Sequence, residues 1–246
     1  MCLSAAPKPR PIPPRARARL SLGLQLVAAA TSQVAMYSHS YRELIKKFSV
    51  SQEDVDFFAK MPFVRPYVDD SSAYQPVPFV TQYDKGDSSD RFFNKTINSD
   101  DTVPRVLALM RKDYSLKSPS TGNEDLDPSQ VPEEPHFVVC YQLGSGVNGY
   151  VNTAHGGVLA AWLDETLGLC AETYRAFVSS EPEHLLTAKL EVSYHSPVPT
   201  PGIIIIKAWV KRKEGRKWFL EARILDQEGT LKAIAKSLYV RLRSPL

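Results

Sequence analysis

The chain has 246 residues, 43% of them hydrophobic and 23% charged, and its formal net charge is +3. No apolar run approaches the roughly 20 residues of a membrane-spanning helix, so a spanning helix is excluded, and the composition suits one substantial core or two small ones. Cys2, Cys140 and Cys170 are few, odd in number and far apart, without metal-ligand spacing to any of the five histidines; this argues against a disulfide scaffold or a metal site and for an intracellular chain with reduced thiols.

Residues 1–42 contain Lys8, Arg10, Arg15, Arg17, Arg19 and Arg42 and no Asp or Glu. An apolar-faced stretch from Leu20 to Ala30 follows the arginines, the pattern of an organelle import signal. Residues 1–38 are therefore expected to be a mitochondrial targeting segment, with a secretory signal and an unstructured tail as the competing readings and the cytoplasm as the destination without import. Residues 41–48 and 51–60 read as two short helices, the second capped by Ser51 with Glu53 and Asp54 in its first turn. Pro62, Pro66, Pro76 and Pro78 among aromatics make 62–80 a strap lying on a surface, with no core of its own. Residues 91–97 read as a strand. Residues 101–112 read as a helix with Pro104 in its first turn and Leu107 and Met110 on one face, and 115–135 as a polar loop. The segment 39–135 is thus expected to be a helical and irregular extension of a compact domain spanning 136–246.

From His136 the pattern becomes strand, helix and then a series of strands. Residues 137–143 are β-branched and aromatic and lead into the glycine-rich turn Gly144-Ser-Gly-Val-Asn-Gly149. Residues 155–176 are helical, and strands follow at 185–195, 202–213, 217–226 and 230–242. The last three are linked by turns at Glu214-Gly215 and Glu228-Gly229, an antiparallel meander. One strand before and four after a single long helix give an α+β fold with the antiparallel sheet wrapped around that helix. The helix is apolar on every side apart from Asp164 and Glu165, so it is expected to be buried all round, with a second subunit supplying the cover that one sheet cannot.

Seven residues at about 100° each return to within roughly 20° of the same face. Gly157, Ala160, Asp164 and Gly168 therefore form one stripe of small residues around a single carboxylate. The unsatisfied N–H groups at the helix start, near Gly156 and Gly157, suit developing negative charge. A carboxylate on that face fits general-base or nucleophilic work on an acyl group; the alternative is a buried partner for a hydroxyl or a backbone N–H in a subunit interface. Glu165, about 100° further round, is expected to pair with a basic residue elsewhere.

The run His155-Gly-Gly-Val-Leu-Ala-Ala-Trp-Leu-Asp-Glu-Thr-Leu-Gly168, followed by Ala188-Lys-Leu-Glu-Val-Ser-Tyr-His-Ser-Pro-Val198 and a closing meander, resembles the hotdog-fold acyl-CoA thioesterases of the PaaI-like superfamily. The resemblance covers about residues 136–246. It implies a catalytic carboxylate at Asp164, a carbonyl-polarising N–H at Gly157 or Gly156, a motif histidine at His155 that orients the turn, and a hydroxyl at Thr187 that can hold the attacking water. The family's asparagine near the carbonyl has two candidates, Asn148 and Asn152, with Asn148 preferred. The implied activity is hydrolysis of an acyl-CoA thioester to free acid and coenzyme A, which belongs to the substrate, so no separate cofactor is expected. The alternatives are a hotdog hydratase or dehydratase and a non-catalytic acyl-CoA binding or assembly protein. The implied assembly is a homodimer or homotetramer with the site at the subunit junction.

Two signals need weighing beside this. The glycines from Gly144 to Gly149 formally satisfy a dinucleotide fingerprint, but no helix begins at their end and the later strands are antiparallel, so they read as a turn. The basic cluster Lys211, Arg212, Lys213 and Arg216 sits at a hairpin tip; it suits the phosphates of coenzyme A, with a solvated turn as the bland reading. It is too short for a nucleic-acid surface.

Overall fold

The computed structural model describes residues 41–69, 71–113, 134–178 and 185–241. The expected targeting segment and most of the expected polar loop lie outside them.

Two helices open this part of the chain, α1 at Tyr41–Lys47 and α2 at Gln52–Ala59, and the Ser51 side chain accepts from the Asp54 N–H at the start of the second. A short helix, α3 (Arg65–Val68), and strand β1 (Tyr74–Val77) follow. Where the aromatic stretch 91–97 reads as a strand, the structure has a wide helical turn, Phe92–Thr96. Segment 101–112 is likewise a correction: Arg105–Arg111 is strand β2. Leu107 and Leu109 face one side of the sheet, and Ala108 and Met110 the other. Because both faces are covered, residues 107–110 are all buried, and a strand buried on both sides lacks the alternation that would distinguish it from a helix.

The sheet runs β1-β2-β3-β7-β8-β9-β6, with every neighbouring pair antiparallel. Its remaining strands are β3 (Phe137–Leu143), β6 (Leu185–Tyr194), β7 (Gly202–Glu214), β8 (Lys217–Asp226) and β9 (Leu231–Arg241). A hairpin of β4 (Asn148–Tyr150) and β5 (Thr153–Ala154) leads into the long helix α4, Gly156–Val178. Trp218, Leu220, Ala222 and Ile224 of β8 are buried while Lys217 and Arg223 are exposed, the alternation of a strand with one covered face. Gly215 and Gly229 take positive φ, 52° and 80°, in the tight turns that close the meander.

Helix α4 lies across this sheet with Trp162, Leu163, Leu167, Cys170 and Ala171 fully buried, and Trp162 stacks on Tyr141 at 5.1 Å between ring centroids. The expectation that the chain offers the helix no cover beyond one sheet is corrected. Tyr41 and Leu44 of α1 and Val77, Phe79, Val80 and Ile97 share its core. The Arg42 guanidinium donates to the carbonyl of Ala176 near the helix's C-terminal end. On the opposite face of the sheet, Phe58, Val64 and Tyr67 of the extension pack with Leu107, Leu109, Val138 and Ile205 in a second core. The strap 62–80 therefore includes a sheet strand and part of a core, and the sheet crosses the boundary drawn at residue 136.

Candidate active site

The helix start is built around one imidazole. The N–H of His155 donates to the Val147 carbonyl at 2.8 Å, while its own carbonyl accepts from Val158 and Leu159 at 3.0 and 3.1 Å, closing the first turn. Its Nδ1 accepts the Gly157 N–H at 2.9 Å, which leaves the ring proton of the neutral imidazole on Nε2. Glycine is needed on both sides of the ring: a Cβ on Gly149 would stand 3.0 Å from His155 Cδ2, and one on Gly157 3.0 Å from Nδ1. The Gly156 carbonyl accepts from the Tyr194 hydroxyl at 2.7 Å.

The preceding glycines serve a different purpose. A Cβ on Gly144 would fall 2.1 Å from the Asp101 carbonyl oxygen, and the Ser145 hydroxyl donates to the Asp101 carboxylate at 2.9 Å. Residues Ser145–Val147 form a single tight turn and strand β4 follows, so this stretch packs the backbone against Asp101 and opens no helix. Asn148 accepts the Thr200 hydroxyl through Oδ1, leaving its amide nitrogen as the group it can present. Asn152 is the hairpin's turn residue, with φ of 53°.

Asp164, half-buried, sits two turns along the helix. Its Oδ1 accepts the Thr187 hydroxyl at 3.0 Å and lies 2.8 Å from the Tyr239 hydroxyl, which is also 2.6 Å from the Asp164 main-chain carbonyl oxygen. The structure thus joins Asp164 to Thr187, which the resemblance gave as the hydroxyl that can hold water, and adds Tyr239, which sequence reasoning missed. The signal was the alternation of β9: Ala233, Ala235, Ser237 and Tyr239 are buried at every second position, and Tyr239 pairs in register with Thr187.

The structure does not bring Asp164 and Gly157 of one chain together. Seven residues at 1.5 Å rise separate them by about 10 Å along the axis, whereas reacting atoms approach to about 3–3.5 Å. A shared face is not a shared contact.

Glu165 turns away from this stripe. Burial, and next the negative charge of Asp90, push its carboxyl up to about 8, with Thr81 and Lys85 opposing. The expected partnership with a base is corrected, because Lys85, the nearby cation, is paired with Asp90. In the basic cluster, Arg212 pairs with Glu214 at 2.9 Å and lies over the Phe219 ring at 4.2 Å. Arg216 donates to the Arg241 carbonyl at 2.8 Å, and Lys213 lies over Trp218 at 5.6 Å. The cluster stays at the β7–β8 tip, away from the helix start. Its register row Lys213, Trp218, Tyr239 and Thr187 runs across four adjacent strands towards Asp164. Among the described residues, no group of three His, Cys, Asp or Glu side chains is placed to hold a metal ion.

An antiparallel sheet wrapped around one helix, with His-Gly-Gly at its start and a carboxylate two turns on, is a hotdog arrangement of the α+β class. Residues 151–233, from the β4–β5 hairpin into β9, match the model of the thioesterase superfamily. The chain is 25% identical to verlamelin biosynthesis protein B of Lecanicillium over 77% of its own length and 88% of that protein's. It is 29% identical to the rat acyl-coenzyme A thioesterase THEM4 over 44% of each chain, so it spans less than half of that relative's length. Over 40% of its length and 39% of the relative's, it is 28% identical to FMP10, a yeast protein described as a mitochondrial membrane protein. Among solved structures, a hypothetical thioesterase with coenzyme A from Streptococcus pneumoniae is similar at a TM-score of 0.40 and 18% identity, covering 48% of this chain and 90% of that one.

Proposed function

We propose that this protein hydrolyses an acyl-CoA thioester to a free carboxylic acid and coenzyme A, in sites shared between two copies of the chain. The observation that carries this reading is the Asp164 carboxylate, held by two hydroxyls on a stripe of small residues. Asp164 acts on the thioester carbonyl carbon, taking a proton from an attacking water or adding directly to form an anhydride that water then cleaves. The oxyanion accepts the Gly157 N–H, displacing His155 Nδ1 from it, with Gly156 and the Asn148 amide alongside. The thiolate of coenzyme A leaves and is protonated. Label in the Asp164 carboxyl after single-turnover hydrolysis in ¹⁸O-water establishes direct attack, with water cleaving the anhydride at the aspartyl carbon, whereas label in the released acid alone fits both routes.

The axial separation of Asp164 from Gly157 supports a two-chain site, in which the carboxylate of one copy meets the N–H groups of the other. Among the described residues strand β6 pairs only with β9, and it carries exposed Thr187, Lys189, Glu191 and Ser193, so its other edge is open to a second sheet. Tyr150, Val151 and Tyr194 are 84%, 88% and 53% exposed beside the helix start, an apolar surface suited to burial in a homodimer, which two-fold pairing can double to a homotetramer. Lys211, Arg212, Lys213 and Arg216 at the β7–β8 tip are assigned to the coenzyme A phosphates. The acid-free first 42 residues, and the description of FMP10 as mitochondrial, support import into mitochondria.

A panel of acyl-CoAs assayed for thiol release, beside calorimetric binding, tests the activity. Turnover of at least one acyl-CoA is expected. Binding without turnover would make the chain a binding protein, and hydration of an enoyl-CoA without thiol release would make it a hydratase.

A further inference from the structure

We propose that Tyr239 is a positioning residue for Asp164: its hydroxyl, with that of Thr187, holds Oδ1 and leaves Oδ2 as the oxygen that faces the substrate. The proposal rests on reading Asp164 as the reacting carboxylate.

The two hydroxyls come from adjacent strands at one register position, Thr187 on β6 and Tyr239 on β9. Both reach the same oxygen, at 3.0 and 2.8 Å. Among the described residues the carboxylate is therefore docked against the sheet through Oδ1. The two donors differ in stiffness. Thr187 is exposed on an edge strand, whereas Tyr239 is only 3% exposed and its ring is enclosed. The stripe of small residues explains how a phenol fits there: a Cβ on Gly168, one turn past Asp164, would already touch the Tyr239 hydroxyl at 3.4 Å. Tyr239 also lies 2.6 Å from the Asp164 main-chain carbonyl oxygen, so its one proton is confined between the backbone and the carboxylate of the same residue. A carboxylate clamped at that point cannot swing about its side-chain bonds, and its second oxygen keeps one direction.

Burial, and next the charge of Asp164, push the Tyr239 hydroxyl well above its ordinary range, so it remains a proton donor at any pH at which the enzyme works. The titratable groups set around Asp164 are Tyr239 from β9 and Glu165 on its own helix, and β6 contributes the Thr187 hydroxyl. Donation to the ionised carboxylate favours that form. Removing the donor must make Asp164 easier to protonate, which loss of packing alone does not require.

The test is the carboxyl titration of Asp164 in full-length Tyr239→Phe, followed by ¹³C NMR of labelled aspartate and assigned with Asp164→Asn. Loss of one hydrogen bond to a charged group is expected to raise the Asp164 midpoint by about one unit relative to wild type. The acid limb of kcat/KM should move with it, with kcat lowered about tenfold and KM changed less than about twofold. If Tyr239→Phe does not fold, 3-fluorotyrosine at position 239 preserves the shape with a stronger donor, and the Asp164 midpoint should fall. An unchanged midpoint in the folded variant overturns the proposal, whatever happens to kcat. Absence of acyl-CoA hydrolysis by wild type would instead count against the thioesterase reading, and the titration decides the role of Tyr239 independently.

Discussion

Replacing Asp164 by asparagine and by alanine separates the chemistry of the carboxylate from its place in the fold. Asparagine retains an oxygen where Oδ1 accepts Thr187 and Tyr239, at 3.0 and 2.8 Å, but lacks a basic or nucleophilic second oxygen. A loss of about 10² to 10⁴ in kcat is expected, or roughly 3–5 kcal/mol of barrier, with the melting temperature within about 2 °C of wild type. Alanine removes the acceptor as well. The cost is limited because Thr187 is exposed and can turn to water, while Tyr239 keeps the Asp164 carbonyl oxygen at 2.6 Å. About 1 kcal/mol of stability is therefore at stake, a fall of about 2–4 °C in a chain of this size. Both variants should be inactive, and only alanine measurably less stable. The assay is thiol release from the preferred acyl-CoA beside thermal unfolding by circular dichroism. An asparagine variant that folds and retains activity within a few fold of wild type would refute the reasoning.

The raised midpoint of Glu165, about 8, means the folded chain holds that proton more tightly than the unfolded chain does. Its contribution to stability is full below the ordinary carboxylate range and is lost as pH rises through about 8. Thermal melts should show wild type losing stability relative to Glu165→Gln between pH 5 and pH 9, and parallel curves would contradict the assignment. Lys211→Ala with Lys213→Ala is expected to raise KM for acyl-CoA several fold, more at low salt, without changing kcat; an unchanged KM would remove the β7–β8 hairpin from the coenzyme A site. N-terminal sequencing of the protein from a mitochondrial fraction should find a start near residues 30–40, whereas an intact Met1 in the cytosol would refute import.

The central helix and the meander were legible because their signals are local. Glycines at 215 and 229 close turns between alternating strands, and the His-Gly-Gly start with Asp164 two turns on depends on spacing within one helix. Strand β2 was misread because its residues 107–110 are buried in one core on one side and in a second core on the other, which erases the period that distinguishes strand from helix. Tyr239 was not legible as part of the site, since its meeting with Asp164 depends on the register of β9 against β6, and pairing between segments about 50 residues apart leaves no local mark. Gly157 and Asp164 share a helix face, but the rise per residue places them about 10 Å apart, a separation that angular spacing alone does not reveal. The self-cover of α4 by Tyr41, Leu44 and Val80 is also a long-range result, from a segment that shows no core of its own when read alone.

Subunit complementation tests the shared site most directly. Asp164→Asn removes the carboxylate, and Gly157→Pro removes the helix-start N–H together with the bond it donates to His155, so its fold is first checked by circular dichroism; each homodimer should be inactive. Co-expressed with different tags, the two chains should form mixed dimers in which one of the two sites combines an intact Asp164 with an intact Gly157. Random pairing makes half the dimers mixed and half of their sites whole, so about a quarter of wild-type activity is predicted, confined to the doubly tagged species. Purified mixed dimers with no activity would show that carboxylate and N–H groups must come from the same chain, and would contradict the account.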